Sequence, residues 1–314
     1  MGRSRTGPGE LGDDHRGIEL SGRTGVGRIR IGISGWTYPP WRGDFYPKGL
    51  PHRSELSYAA ERLTSIEING TFYSLQRPSS FATWRAATPE GFVFAAKGGR
   101  FITHMKRLLE PELSLANYFA AGILGLGPKL GPLLWQLPPN LPYERDRLTQ
   151  FFQALPRTTT AAAILAERHD ERLKHGAVTT TEADRRIRHA VEVRHPSYRT
   201  AEFIELLRRH RIGLVVADTA GRWPHLEDVT ADFVYVRLHG AEELYASGYT
   251  DAALDDWAAK IRSWAVGGSP DSEFRLTEPA AEAARGRDVF VYFDNDVKGY
   301  APYDAMRLIE RVGR

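Results

Sequence analysis

A chain of 314 residues that is 42% hydrophobic and 26% charged has globular composition, with length for one large domain or two ordinary ones. It has no cysteine, which excludes a disulfide framework, a thiolate metal site and a cysteine nucleophile, and no apolar run is long enough to cross a bilayer. The net charge of +3 is no nucleic-acid footprint, because residues 1–30, with six arginines against four acids, supply +2 of it.

In chain order, residues 1–28 are Gly/Arg-rich and lack the apolar run of a signal peptide, so they read as a disordered tail on a cytoplasmic protein. Eight short apolar runs follow: IRIGISG (29–35), SIEINGTF (65–72), FVFAAKG (92–98), LGPLLWQLP (130–138), IRHAVEVRH (187–195), IGLVVAD (212–218), DFVYVRLHG (232–240) and DVFVYFDND (288–296). Each is rich in β-branched or aromatic residues and ends in a polar residue, Gly or Pro, as buried parallel strands do. Between them LSYAAERL (56–63), YERDRLTQFFQAL (143–155), TAEFIELLRRH (200–210) and TDAALDDWAAKIRSWA (250–265) carry apolar residues at helical spacing, with Thr200 and Thr250 placed as caps. Strand and helix alternating eight times over residues 29–312 predict an α/β fold of the (β/α)8 TIM-barrel type, a single domain; an open doubly wound sheet is the alternative. Residues 157–186 and 267–287 are polar and read as insertions, with His169 and His175 solvated.

Side chains alternate across a strand, and in a barrel one face meets the helices and the other the axis. In AVEVRH the valines suit the helix layer, which turns Glu192 and Arg194 inward. The same parity turns in Glu67 and Asn69 of SIEING, and Tyr235, Arg237 and His239 of VYVRLHG. Lys97, Gln136, Asp218, and Asp294 with Asn295 close four further strands. All fall late in their strands, the end at which barrels build sites, whereas deeper layers are expected to hold branched apolar residues. One buried ion pair is as well explained by structure as by function, but a polar ring drawn from seven strands favours a functional pocket.

Several of these segments together resemble the DUF72 proteins, the YecE-like UPF0759 group. The carriers are GISGWTYPPWRGDFYP (32–47), SIEINGTFYSLQRP (65–78), FVFAAKGGRFITH (92–104), LGPLLWQLPPN (130–140), AVEVRHPSY (190–198), VYVRLHGAEELYASGYT (234–250) and VYFDNDVKGYAPYDA (291–305). The resemblance implies a TIM barrel and a shortlist of residues, but no reaction. Where that family often has Phe-Asn-Asn this chain reads Phe293-Asp294-Asn295, which favours Asn295 over Asp294 as a ligand-facing group.

The chemistry is bounded by what is missing: no GxxxxGK[ST] loop, HExxH or GxGxxG is present, and Gly32-Ile33-Ser34-Gly35 is not a nucleophile elbow. Lys97, Arg194 and Arg237 suit an anionic group, the arginines matching phosphate or carboxylate. Glu67, Glu192, Asp218 and His239 are the candidate acid–base residues, and they suit equally an oxygen-rich site for a divalent metal, Mg or Mn. Asn69, Tyr73, His104, Gln136, Tyr249 and Asn295 are candidate ligand contacts, Tyr245 a further rim residue. The loop after the first strand crowds Trp36, Tyr38 and Trp41 among prolines, placed either to stack on a base or sugar or to pack on one another. The expectation is a hydrolase or lyase acting on a phosphate-bearing ligand, a nucleotide or a nucleic-acid end included. A glycosidase pairing Glu67 with Glu192 and a non-catalytic binder of an anion are the alternatives, and 5–9.5 Å between the two carboxyl groups would suit the glycosidase.

Overall fold

The computed structural model describes residues 25–313, so the expected tail lies outside the described residues as far as residue 24. All eight apolar runs form strands: β1 (Ile29–Ser34), β2 (Ser65–Ile68), β3 (Val93–Lys97), β4 (Leu130–Gln136), β5 (His189–Glu192), β6 (Gly213–Asp218), β7 (Phe233–Leu238) and β8 (Asp288–Phe293). They pair in parallel in sequence order, and Ile29–Ile33 of β1 pairs with Val289–Phe293 of β8. That last pairing closes the barrel and removes the open-sheet alternative.

The outer face of the strands is aliphatic. Ile29, Ile31 and Ile33 of β1 and Val234, Val236 and Leu238 of β7 are buried against the helix layer. Burial of each such side chain is worth about 1.5–3 kcal/mol, so this layer supplies most of the drive to fold. The expected helices form as α1 (Glu55–Ala60), α5 (Arg145–Ala154), α7 (Ala201–His210) and α8 (Asp251–Ala265). Thr200 and Thr250 cap the last two, their hydroxyls accepting from the amides of Phe203 and Ala253.

Five helices were not anticipated: α2 (Gly70–Tyr73), α3 (Pro78–Ala86), α4 (Pro111–Ala120), α6 (Thr159–Ala166) and α9 (Tyr300–Val312). Helix α6 lies within residues 157–186, where Ala162, Ala163 and Ala166 are buried and Thr158 caps the helix. Three alanines make a packing face too small to stand out as a hydrophobic period. In α9, Ala301, Ala305, Leu308 and Val312 form the buried stripe that meets β1 and β8. His169 and His175 are exposed. Among the described residues no helix is long and apolar enough to cross a membrane.

Inside the barrel the expectation of branched apolar layers is corrected. Phe233, Tyr235, Phe290 and Tyr292 fill the axis, and Ala95, Ala190 and Ala217 are the small residues that leave them room, with Leu134 and Val215 completing the cluster. The rings of Tyr235 and Tyr292 lie 5.2 Å apart. Each carries a hydroxyl out of the apolar layer, Tyr292 to Ser65 Oγ at 2.7 Å and Tyr235 to Glu67 at 2.5 Å. The aromatic plug is therefore the floor on which the polar layer stands.

Closure also demands close backbone approach. A Cβ at Gly32 would lie 1.7 Å from the Ser65 carbonyl oxygen in the neighbouring strand. Gly32→Ala is expected to cost about 1–3 kcal/mol or more, read from urea unfolding; an unchanged midpoint and slope would refute this account of the β1–β2 contact.

Candidate active site

Parity sets the first layer. Glu67 from β2, Arg237 from β7 and Glu192 from β5 reach the axis above the aromatic plug, together with Ser34 from β1 and Asp294 one residue beyond β8. Arg237 is the centre. Its Nη1 donates to Glu192 Oε2 at 2.6 Å, and its Nη2 donates to Asp294 Oδ2 at 2.8 Å, Glu67 Oε1 at 3.0 Å and Ser34 Oγ at 3.1 Å. One guanidinium thus holds three carboxylates. Glu67 is further bound by the Ser34 hydroxyl and by Tyr235. Glu192 accepts from Arg194 Nε at 2.8 Å. His239 Nδ1 lies 3.1 Å from Asp294, its Nε2 3.8 Å from Glu192.

This layer is sealed. Glu67, Arg237 and His239 have fully buried side chains, and Glu192 is 1% exposed. None of the four lines either of the two cavities described at this end of the barrel. Burial by itself would raise the Glu192 and Asp294 carboxyls, but the positive charges outweigh it. Arg194 and Arg237 hold Glu192 well below the usual carboxylate range, and Arg237 and His239 do the same for Asp294.

Above it opens a cleft of about 580 Å³ with two unlike sides. Strands β3 to β5 and the loop after β3 contribute the cations Lys97, Arg100 and Arg194, the His104 imidazole and the Gln136 amide. His104 is carried on a π-helical turn, Phe101–Met105, a local widening that often marks functional positions. The opposite side comes from β8 and β1, with Asp294, Asp296 and Tyr38. Tyr245, Phe72 and Tyr73 complete the rim. Arg194 is aimed by stacking 3.7 Å over Trp223 and by a bond to Tyr245 at 3.3 Å.

The cleft separates its titrating groups. Burial, then the charge of Arg237, lowers Lys97 to about 8. Burial, then Lys97 and Arg194, lowers His104 to about 4. Burial, then the neighbouring Asp294 charge, raises Asp296 well above the usual range. Asp294 and Asp296 are two residues apart and pushed in opposite directions, the pattern by which one site holds an ionised and a neutral carboxyl together.

Of the sequence-derived candidates, Tyr38, Asn69, Tyr73, Lys97, His104, Gln136 and Arg194 line the cleft, Trp36 lines an adjoining groove, and Glu67, Glu192, Arg237 and His239 lie beneath. Four lie elsewhere. Asp218 follows Val215 and Ala217, which take the inward positions of β6, so it faces out and accepts from the Tyr249 hydroxyl at 3.0 Å. Tyr249 is spent on that contact and on the Gly240 amide. Asn295 also faces out, its amide donating to Asp304 Oδ2 at 3.0 Å and the Ser247 carbonyl at 3.0 Å; the residue that lines the cleft is Asp294 instead. Trp41 is fully buried, packed with Phe45 and Tyr46. Arg100, Asp296 and Ser34 were missed. Ser34 was accessible to the same parity, since Ile29, Ile31 and Ile33 already claim the outer face of β1; the other two sit on loops, where no alternation applies.

The predicted acid set does not fit a divalent-metal site. Among the described residues no three His, Asp or Glu side chains are grouped so as to hold a metal ion. The oxygens of Glu67, Glu192 and Asp294 converge on the Arg237 guanidinium, which stands where such an ion would have to be.

A family model described as a protein of unknown function, DUF72, matches residues 30–314. The chain belongs to the DUF72 family. It is 30% identical over 129 residues to the UPF0759 protein YecE of Escherichia coli strain K12, covering 41% of this chain and 44% of that one. It is 29% identical over 119 residues to the UPF0759 protein YunF of Bacillus subtilis strain 168, covering 35% and 40%. The matched stretch therefore spans less than half the length of either relative. Among solved structures, a DUF72 family protein from Thermotoga maritima MSB8 superposes with a TM-score of 0.68 at 22% identity, over 91% of this chain and 99% of that one. One from Enterococcus faecalis V583 gives 0.62 at 17% identity, over 91% and 96%. These two likenesses concern the fold.

Removing Arg237 would leave three buried carboxylates uncompensated. Arg237→Met is expected to cost about 3–5 kcal/mol at pH 7 by urea unfolding. Because Glu192 and Asp294 are held below their unfolded values, their contribution is present at neutral pH and is lost as pH falls below about 4. The deficit of the variant should therefore shrink on acidification, and an equal deficit at pH 7 and pH 3 would refute this assignment. Asp296 has the opposite sign: raised in the fold, it costs stability at neutral pH. Asp296→Asn is expected to raise the thermal midpoint by about 2–4 °C, measured by calorimetry at pH 7.

Proposed function

We propose that this DUF72 chain is an acid–base enzyme, a hydrolase or lyase, acting on a small phosphate-bearing ligand held in the cleft at the C-terminal end of the barrel. The observation that carries this reading is the two-sided cleft. Lys97, Arg100 and Arg194 face Asp294 and Asp296 across a space of about 580 Å³, within the range of small-ligand sites. Arginine's planar fork suits phosphate oxygens. In this mechanism Arg100 and Arg194 bind and orient the anion. Lys97, lowered to about 8, takes a proton from the attacking water or from carbon. Asp296, neutral in the fold, returns one to the leaving oxygen. Asp294 stays ionised and keeps its neighbour protonated, while Glu67, Glu192, Arg237 and His239 act as positioning residues.

The glycosidase alternative loses support because Glu67 and Glu192 are bound to the same guanidinium and neither lines the cleft. A non-catalytic binder shares the cleft and is separated by turnover. The purified chain, assayed with a panel of phosphomonoesters and phosphodiesters in the presence of a chelator, should turn over at least one of them. Asp296→Asn and Lys97→Met should each lower kcat by about 100-fold or more. The wild-type kcat/KM should rise with pH toward about 8, as Lys97 loses its proton, and that rise should vanish in Lys97→Met. Binding of a phosphorylated compound without turnover across the whole panel would leave the protein a binder and sink the enzymatic reading.

A further inference from the structure

A second cavity, of about 370 Å³, adjoins the ionic cleft and shares Tyr38, Asn69 and Tyr73 with it as a common wall. Its other walls are Trp36 and Trp84, with Thr37, Ile68 and two glycines between them. Trp36 meets Trp84 edge to face, ring centroids 5.4 Å apart, and Trp84 is braced in the same way on the buried Phe81 at 5.1 Å. Tyr73 stands at the rim, 69% exposed, although most tyrosines of the chain are packed. The glycines Gly35 and Gly70 bring backbone, not side chain, to this surface. Gly35 has φ +83°, and a Cβ there would meet the Tyr38 hydroxyl at 2.9 Å, so the turn that presents these rings needs a glycine. Four rings, Trp36, Tyr38, Tyr73 and Trp84, against the single aliphatic Ile68 suit a flat π-system more than an alkyl chain.

The shared wall carries an unanswered acceptor. Ser34 gives its hydroxyl proton to Glu67, so its oxygen can only accept from Asn69, whose Nδ2 lies 2.9 Å away. That fixes the amide: Asn69 turns its NH2 to Ser34 and leaves Oδ1 buried with no protein partner. A buried carbonyl without a donor costs about as much as a lost hydrogen bond, and Asn69 borders both cavities. The acceptor without a donor thus lies at the junction of the ionic cleft and the aromatic groove.

We infer that the ligand is a nucleotide, its phosphate in the ionic cleft, its base among Trp36, Tyr73 and Trp84, and a sugar hydroxyl donated to Asn69 Oδ1 between them. This rests on the reading of the cleft as a phosphate site. It is tested by calorimetric titration of the whole chain with inorganic phosphate, ribose 5-phosphate and the four nucleoside 5′-monophosphates, with tryptophan fluorescence followed alongside. At least one nucleotide should bind about tenfold or more tighter than ribose 5-phosphate and quench the fluorescence. Its 2′,3′-dideoxy form should bind about tenfold more weakly. Trp84→Leu removes a ring that borders the groove alone; it should weaken the nucleotide about tenfold and leave ribose 5-phosphate unchanged. Tyr73→Ala, at an exposed position that folding tolerates, should weaken the nucleotide similarly. If ribose 5-phosphate binds as tightly as every nucleotide and neither variant matters, the nucleotide assignment is overturned and the phosphate cleft stands. If no phosphate compound binds, the cleft reading falls and this inference with it.

Discussion

The polar half of this barrel depends on one guanidinium. Arg237 lies on the axis with no exposed side-chain surface, and three carboxylates from three different elements are directed at it. Removing such a group from water is expensive, and its ion pairs recover that cost only with full hydrogen bonding. Hydrophobic packing would have been the simpler way to fill the space, as the rings of Phe233, Tyr235, Phe290 and Tyr292 do one layer below. What the charged layer provides is a fixed field. It keeps Glu192 and Asp294 ionised against burial, acts on Lys97 with both signs, Arg237 lowering it and the three carboxylates raising it, and through the Asp294 charge helps to raise Asp296.

Two connections carry that field to the cleft. Asp294 belongs to both levels, bonded to Arg237 below and lining the cleft above. Arg194 does the same from the other side, with Nε on Glu192 and its guanidinium stacked on Trp223. Both are held by two or more partners in different elements, which is how a site on loop-borne residues is kept as rigid as one on strands. Ser34 and Asn69 form a third connection, toward the aromatic groove, and there the chain of donors ends on an acceptor without a match.

Much of this was legible in the sequence, through a single rule. Alternation across a strand placed Glu67, Glu192, Arg237 and His239 on the axis and Lys97 and Gln136 at the mouth, because in β2, β5 and β7 the outward positions are occupied by β-branched or aliphatic residues. The rule lost its hold in IGLVVAD, where Leu214, Val215, Val216 and Ala217 are all apolar and the phase is undetermined. Only the space demanded by the rings opposite decides that Val215 and Ala217 face in, which turns Asp218 out. Asn295 failed differently. The family pattern favoured it, but Asp294 continues the inward set of Phe290 and Tyr292, and strict parity would have chosen it. Arg100, Asp296 and the alanine-faced α6 carried no periodic signal.

The guanidinium also bears on what kind of chemistry the barrel can host. A divalent ion in such a position would present open coordination sites and polarise a ligand directly. Arg237 presents none: Nη1 and Nη2 are committed to Glu192, Asp294, Glu67 and Ser34, and it is sealed from the cleft. Its influence reaches the cleft through the titration of Lys97, Asp294 and Asp296 and, by way of Glu192, through Arg194. The charged groups that do line the cleft are side chains, and burial has already shifted two of them in opposite directions, Lys97 down and Asp296 up.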